Sequence, residues 1–507
     1  MFTTTILIEK FPGLVECQQL LLSIHLQSSH ISKTMADIYD NPTPTKTSSN
    51  LKHPAGQAHA IPSILNLINN VLGAGLFSMP WCLRQATLGT GVLLLLFCAF
   101  MNTASFIIIS MCCDLAGEFS YLKMGRLALG NKFGFLFQSV VSFYTLGSTI
   151  SFVVLTGDFL VGERTGVFEY FANNTILYDP NNETGSRAFI ILLCTILFFF
   201  PLSILRNLDG LKFTSAVSCL ASFYAAILTC VVYFYAPKGA MLPSEIHAVP
   251  SLRSDIHWFG FPVSFWEAVP IVNVAFTAHY NAGRFYQELS NRSTKRIAMV
   301  SGIAMGSSMV LYGVVAVTGY LTFGRMTKGN ILENFSPDYN LAIGARIALA
   351  IVVIFTLPLA AHSLRESLFA LVWENKYTSD NAPRSLIASI AIGVLLACGT
   401  IGVIFTKIEV VLAYKGGIFG SCLVYIFPPL MLVALRVRAD RNNFERLLMP
   451  SPYDEEEDPP ATLKETLIAM FTQKKNWMLA VMFVWGVLAG TLSVSVTVLT
   501  QAGLLKN

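Results

Sequence analysis

The sequence predicts an all-α polytopic membrane protein with about eleven transmembrane helices, built as a 5+5 inverted repeat plus one extra C-terminal helix. Composition is the first reason. Of the 507 residues, 54% are hydrophobic and only 13% charged, where soluble globular proteins carry about 25% charged residues. Apolar runs of about 20 residues, long enough to cross a bilayer, are the second. They fall at 61–84, 89–112, 134–161, 187–206, 211–236, 263–287, 297–323, 341–362, 384–406, 411–436 and 476–502. Spacing is the third. The first five runs fill 61–236 and the next five fill 263–436, nearly equal lengths. Five crossings leave the chain on the far side, so the second set enters from the opposite face, as an inverted repeat requires.

Residues 1–60 form a polar tail, expected on the cytosolic side, with 36–60 rich in Pro, Thr, Ser and His. The run LVECQQLLLSIHL is too weak for a signal peptide and has no small-residue cleavage site after it. Met35 opens MADIYDNP like a second start, so 1–34 is expected to be an extension of the gene model. Between the second and third runs, DLAGEFSYLKMGRLALG (114–130) predicts an amphipathic cytosolic helix. The 437–475 connection holds the acidic run Asp454–Asp458 followed by Pro459-Pro460, which predicts a solvated cytosolic loop. Residues 476–507 supply the eleventh helix and an external C-terminus. The pairs Gly302/Gly306, Gly416/Gly420 and Gly486/Gly490 have the small-xxx-small spacing of closely packed membrane helices.

Lys and Arg placement sets the expected orientation. With the N-terminus cytosolic, the tail and cytosolic loops carry 22 of the 34 basic residues and the other side 9, as the positive-inside rule asks. The sequons at Asn173 and Asn182 then fall in the external 162–186 loop, where glycosylation is possible, and that at Asn291 falls on the cytosolic side. Nine of the ten cysteines lie in or beside the runs and Cys17 lies in the tail. They predict small apolar packers rather than a disulfide framework.

The chemistry concentrates in the first run, IPSILNLINNVLGAGLFSMPWCL (61–83). Asn66, Asn69 and Asn70 precede Gly73-Ala74-Gly75. In hydrocarbon every backbone group needs a partner, so glycines here make sense if the helix unwinds around something polar. A helix stopping near Leu72 offers free carbonyls to an ammonium or cation. One restarting near Gly75 offers N–H groups and a positive dipole end to a carboxylate. A zwitterionic amino acid fits such a gap, although close helix packing is the plainer use of the glycines. The candidate substrate residues are Asn69, Asn70, Leu72, Gly73, Ala74, Gly75, Thr277 and Tyr144. Asn69 is either an ion or amine ligand or an interhelical hydrogen-bonding amide. The sixth run, PIVNVAFTAHYNAGRFYQEL, holds Asn273, Thr277, His279, Asn281 and Gly283 in an apolar frame, the equivalent break in the second half. His279 is open to proton coupling or gating, or to a structural hydrogen bond. Thr356 lies beside Leu357-Pro358. Pro358 frees a carbonyl one turn back, so the pair can share a sodium ion, or the hydroxyl can simply bond its own helix. Lys415 and Glu267 either pair or reach separately to the interface, the latter being the expectation.

Three blocks together resemble the amino acid/auxin permease family, which includes sodium-coupled neutral and vacuolar amino acid transporters. They are NLINNVLGAGLFSMP (66–80), FTAHYNAGRFYQEL (276–289) and GGIFGSCLVYIFPPL (416–430). The resemblance implies an eleven-helix protein with the LeuT-type inverted repeat, alternating access and an amino acid at the first break. It also implies coupling-ion roles for Asn69 and Thr356. His-Tyr-Asn at 279–281 looks closer to vacuolar members, which implies proton coupling or an organellar address.

The expectation is therefore a secondary active transporter, not an enzyme, moving small neutral L-amino acids on a sodium or proton gradient. The alternative is a sensor that binds without significant transport. Within the runs Asp158 is the one aspartate well inside, and phosphate loops and metal-spaced His/Cys clusters are absent, so neither a paired-aspartate protease nor a metalloenzyme fits. No cofactor, metal or nucleic acid is expected. The partners are the amino acid and the bilayer, of the plasma membrane or a vacuole/lysosome-type endomembrane, with a monomeric transport unit.

Overall fold

The computed structural model describes residues 56, 58–73, 75–161, 166–172, 179, 181–206, 212–235, 256–336, 338–374, 376–378, 381–448 and 459–505. Residues 1–55 and 57 of the tail, Ala74, Asn173 and the acidic run 454–458 lie outside these described residues. All of them that are regular are helical, apart from one isolated bridge, Ala58 with Leu289. In order they are α1 (Ala60–Val71), α2 (Gly75–Ala86), α3 (Leu88–Ala116), α4 (Tyr121–Leu129), α5 (Asn131–Leu160), α6 (Val167–Ala172), α7 (Glu183–Ser203) and α8 (Lys212–Tyr235). Then follow α9 (Phe265–Phe276), α10 (Ala282–Glu288), α11 (Thr294–Phe323), α12 (Asn340–Trp373), α13 (Arg384–Ile404), α14 (Ile408–Arg441), α15 (Leu463–Thr472) and α16 (Trp477–Gln501).

Among the described residues nine helices are long and apolar enough to cross a membrane, and ten spans result if the bent pair α1–α2 counts as one. The expected span 263–287 is split into α9 and α10, each too short to cross by itself. The helix ends sort onto two faces. On the proximal face, where α1 begins, Ala58 N–H donates to Glu288 O and Ser290 N–H donates to Ala58 O; Ala461 N–H donates to Ala128 O. On the distal face, the N–H groups of Leu88 and Gly89 donate to the carbonyls of His257 and Trp258.

Burial ranks the helices. Every residue of α9 except Trp266, and every residue of α2 except Arg84, is buried. A helix apolar on all sides belongs at the centre, and these two pack on each other. At the periphery, α7, α8 and α13 turn Leu192, Ile196, Phe223, Ile227 and Leu396 outward, as suits side chains facing lipid. Arginines close helix ends that lack donors. Arg365 donates to the carbonyls of Ser203 and Leu205 at the end of α7, and Arg346 to those of Leu332 and Phe335. Asp158, at the distal end of α5, forms a buried ion pair with Arg187 of α7 at 2.8 Å.

Two expectations need correction. The 114–130 stretch is not one helix: Asp114–Ala116 finish α3, Gly117 ends it at φ 67°, and α4 starts at Tyr121. Six of the nine α4 residues are buried against α5 and α14, so it is a packed element rather than a surface helix. Nor do Gly302 and Gly306 mark close packing, since a side chain at either would meet nothing within 4 Å. The other two pairs do: Gly416 abuts the Pro270 carbonyl, Gly486 abuts Tyr425, and Gly490 lies against Gly417 and Ser421.

Two experiments follow from this architecture. Asn182 is exposed and caps α7 by accepting from Gly185 N–H through Oδ1 at 3.0 Å, while Asn291 sits in a turn at φ 47° on the proximal face. Glycosidase is expected to shift gel mobility, and Asn173→Gln with Asn182→Gln to abolish the shift. A shift lost only with Asn291→Gln reverses the orientation. Asp158→Ala strands a buried guanidinium and is expected to lower stability by about 3–5 kcal/mol in detergent unfolding, with Asp158→Leu plus Arg187→Met recovering most of it.

Candidate functional site

Two interruptions lie side by side in the core. α1 ends at Val71 and α2 restarts at Gly75 with a bend of 59°. Leu72 N–H still donates to Ile68 O at 2.7 Å, and Leu76 N–H to Gly73 O at 3.2 Å, so only the short link between them leaves the helix. α9 ends at Phe276. Thr277 is extended, and a 3₁₀ turn, His279–Asn281, leads into α10. A Cβ at Gly75 would lie 2.7 Å from Ala275 Cβ, so glycine is what lets the second half of one broken helix touch the first half of the other.

Tyr312, buried in the middle of α11, ties the two breaks together. Its Oη lies 2.7 Å from the Val71 carbonyl and 2.9 Å from the Ala275 carbonyl, and the Gly73 backbone bonds the same oxygen. A phenol has one proton to donate, so two carbonyls released by the breaks share it.

Around this tie runs a polar belt. Tyr280 Oη donates to Asn70 Oδ1 at 3.0 Å, joining the first break to the second. Tyr144 of α5 donates to the Thr277 carbonyl at 3.3 Å, and Thr277 Oγ1 donates to the Asn273 carbonyl at 2.7 Å. Asn102 of α3 donates from Nδ2 to Asn273 Oδ1 at 3.2 Å. The structure therefore places Asn70, Leu72, Gly73, Gly75, Thr277 and Tyr144 at one locus, with Asn69 half-buried beside Asn70. His279 is fully buried, edge-on to Phe106 at 4.7 Å, and its carbonyl accepts from Tyr121 at 2.9 Å. Thr356 stands apart on α12, which packs on α5 and α8, and donates to the Val352 carbonyl at 2.7 Å. α1 also packs on α8, so Asn69 and Thr356 ride on helices that flank a common neighbour.

Lys415 departs from expectation. It neither pairs with Glu267 nor reaches the interface, but turns inward, with Nζ 4.5 Å above the centre of the Tyr144 ring. Glu267 instead accepts from Gln85 Nε2 at 3.3 Å. It lines a distal-face cavity of about 250 Å³ with Arg84, Lys407 and Glu409. A neighbouring cavity of about 360 Å³ shares Trp81, Arg84, Lys407 and Glu409 and reaches the Asp158–Arg187 pair. Both signs of charge line this entrance, which suits a zwitterion. Sequence reading missed it because its charges come one at a time from the ends of separate helices. It also missed Tyr312, Tyr280 and Asn102. The available signal was a lone polar side chain amid an apolar run, which does not say what it faces.

The family profile described as transmembrane amino acid transporter protein matches residues 56–451. The chain is 29% identical over 374 residues to the putative sodium-coupled neutral amino acid transporter 11 of Danio rerio, covering 74% of this chain and 78% of that one. It is 27% identical over 375 residues to vacuolar amino acid transporter 5 of Schizosaccharomyces pombe, covering 74% and 84%. Among solved structures it resembles Mhp1, a nucleobase-cation-symport-1 family transporter, in a closed conformation, at 12% identity and a TM-score of 0.51 over 90% of this chain and 95% of that one. The likeness is one of fold.

Tyr312→Phe removes the shared donor at nearly constant volume. It is expected to cost about 1–3 kcal/mol in detergent unfolding, because buried carbonyls lose their partner. Gly75→Val adds a branched side chain where a single Cβ already meets Ala275. Its expected result is membrane expression with uptake near background, and unchanged uptake with unchanged affinity would mean that the break takes no part in transport.

Proposed function

The chain belongs to the transmembrane amino acid transporter family, and from that premise we propose that it is a secondary active transporter of small neutral L-amino acids. It works by alternating access and is coupled to a sodium or proton gradient. The observation that carries this reading is the pair of adjacent breaks tied through Tyr312. They bring backbone carbonyls, N–H groups and the hydroxyls of Tyr144 and Tyr280 together in the bundle core. A half-helix N-terminus meets the substrate carboxylate, and carbonyl ends meet its ammonium or a coupling cation. The N-terminus lies in the cytosol, so the charged cavity at the distal face opens outward, in the plasma membrane or in a vacuole-type endomembrane. One polypeptide is the transport unit.

Sodium is the preferred coupling ion. Asn69 and Thr356 offer neutral oxygens that hold no proton at working pH, and Pro358 leaves the Ile354 carbonyl without its usual helical donor. Thr356 spends its hydroxyl proton on Val352, which leaves its oxygen lone pairs to a cation. His279 is the group through which a proton would couple instead.

A radiolabelled amino acid panel in proteoliposomes, at two pH values with and without sodium, tests the whole reading. Uptake is expected to need sodium. Thr356→Val is expected to raise the half-saturating sodium concentration roughly tenfold, a loss of about 1.4 kcal/mol, with little change in saturated uptake. By reciprocity, the amino acid's affinity should fall by the same factor when sodium is withdrawn as sodium's does when the amino acid is absent. Uptake that ignores sodium, rises steeply with proton gradient and responds to His279→Gln but not Thr356→Val replaces sodium by the proton.

A further inference from the structure

α14 brings an ammonium into the protein core. Lys415 heads a π-helical stretch, Lys415–Gly420, a distortion that is frequent at functional sites. The residue is 8% exposed, its methylenes rest on Gly147 of α5, and Nζ lies over the face of Tyr144. Among the described residues no carboxylate comes within ion-pair distance of it and no hydrogen bond reaches Nζ. The π face attracts a cation but offsets only part of what it costs to hold one unpaired inside a membrane protein.

A second buried donor lies nearby. Asn273 is 1% exposed. Its Oδ1 accepts from Asn102, which leaves Nδ2 without a partner among the described residues. Opposite it is Gly420. A Cβ there would lie 3.3 Å from Asn273 Nδ2 and 3.7 Å from Tyr144 Cε2, so glycine lets α14 pack closely against both the amide and the ring. The set thus offers an ammonium over the face of a tyrosine ring and an orphaned amide donor near the same ring, with Gly420 packed close to both the amide and the ring and no anion among them. Tyr144 links it to the second break through the Thr277 carbonyl. Ala413, two residues before Lys415 on α14, lines the distal cavity.

We infer that Lys415, assisted by Asn273, is the ligand for the carboxylate of the transported amino acid as it passes from the distal cavity to the broken helices. The inference rests on the transport reading above and adds a charged, side-chain reader to the helix N-terminus. A carboxylate supplies the missing anion, forms charge-assisted bonds with both donors and restores neutrality in the core. An analogue whose carboxylate is replaced by an amide or by hydrogen leaves the ammonium unpaired, so the site rejects it strongly.

The test uses the full chain in proteoliposomes and the amino acid that the panel shows to be best transported, with its carboxamide as competitor. In the wild type the acid is expected to compete roughly 100-fold better than the amide. Lys415→Met keeps the chain length without the charge. It is expected to weaken the acid at least about tenfold and bring the two competitors within roughly threefold of each other, while Lys415→Arg keeps a clear preference for the acid. A merely structural lysine would change the amount of folded protein and leave the acid-to-amide ratio intact. If Lys415→Met does not reach the membrane, Asn273→Ala is the second probe, expected to reduce the ratio several-fold. An intact ratio in either folded variant, or a wild type that transports but does not distinguish acid from amide, overturns the inference and spares the transport reading. A wild type that moves no amino acid overturns both.

Discussion

The structure depends on how it satisfies backbone groups that two broken helices release inside an apolar interior. An unpaired carbonyl there costs several kcal/mol, and the breaks expose carbonyls on both Val71 and Ala275. One phenol answers both. Tyr312 reaches them from α11, and its oxygen also takes the Gly73 backbone. The bends exist because a donor from a third helix stands where they occur. The close approach at Gly75 exists because the ends must come near enough to share it.

Two sets of buried polar groups differ in how completely they are paired. Arg346, Arg365 and the Asp158–Arg187 pair close helix ends or anchor loops. Asn102, Asn273, Thr277 and Tyr144 form one hydrogen-bonded chain and Tyr280 with Asn70 a second, the two meeting where the Tyr144 and Tyr280 rings lie 5.7 Å apart, and some of their donors and acceptors are left over. Leftover capacity is costly in a purely structural network. It is what a site that receives and releases a polar guest must retain.

Much of this was legible in the sequence because membranes make few exceptions. Gly73 and Gly75 after three asparagines placed the first break, and the helix does end at Val71 and resume at Gly75. The halves of the repeat placed the second, at Thr277–Asn281. What one chain could not reveal is which polar side chain in an apolar run faces the interior. Lys415 was expected to reach for the interface because a long cation near a helix end usually does. The π-helical stretch of α14 rotates it inward instead, and no spacing in KGGIFG announces that. The distal entrance was hidden for a related reason: Arg84, Glu267, Lys407 and Glu409 become neighbours only when the helices assemble.

The bridge at Ala58 fastens the start of the first broken helix to the end of the second. Two backbone hydrogen bonds clip the strand-like residues just before α1 to the end of α10. Each is worth about 0.5–1.5 kcal/mol, and both join the proximal ends of the two broken helices directly through the backbone. That clip is a latch at the root of the N-terminal segment. Breaking the clip would free the proximal ends of the two broken helices from each other while leaving every residue of the two breaks in place.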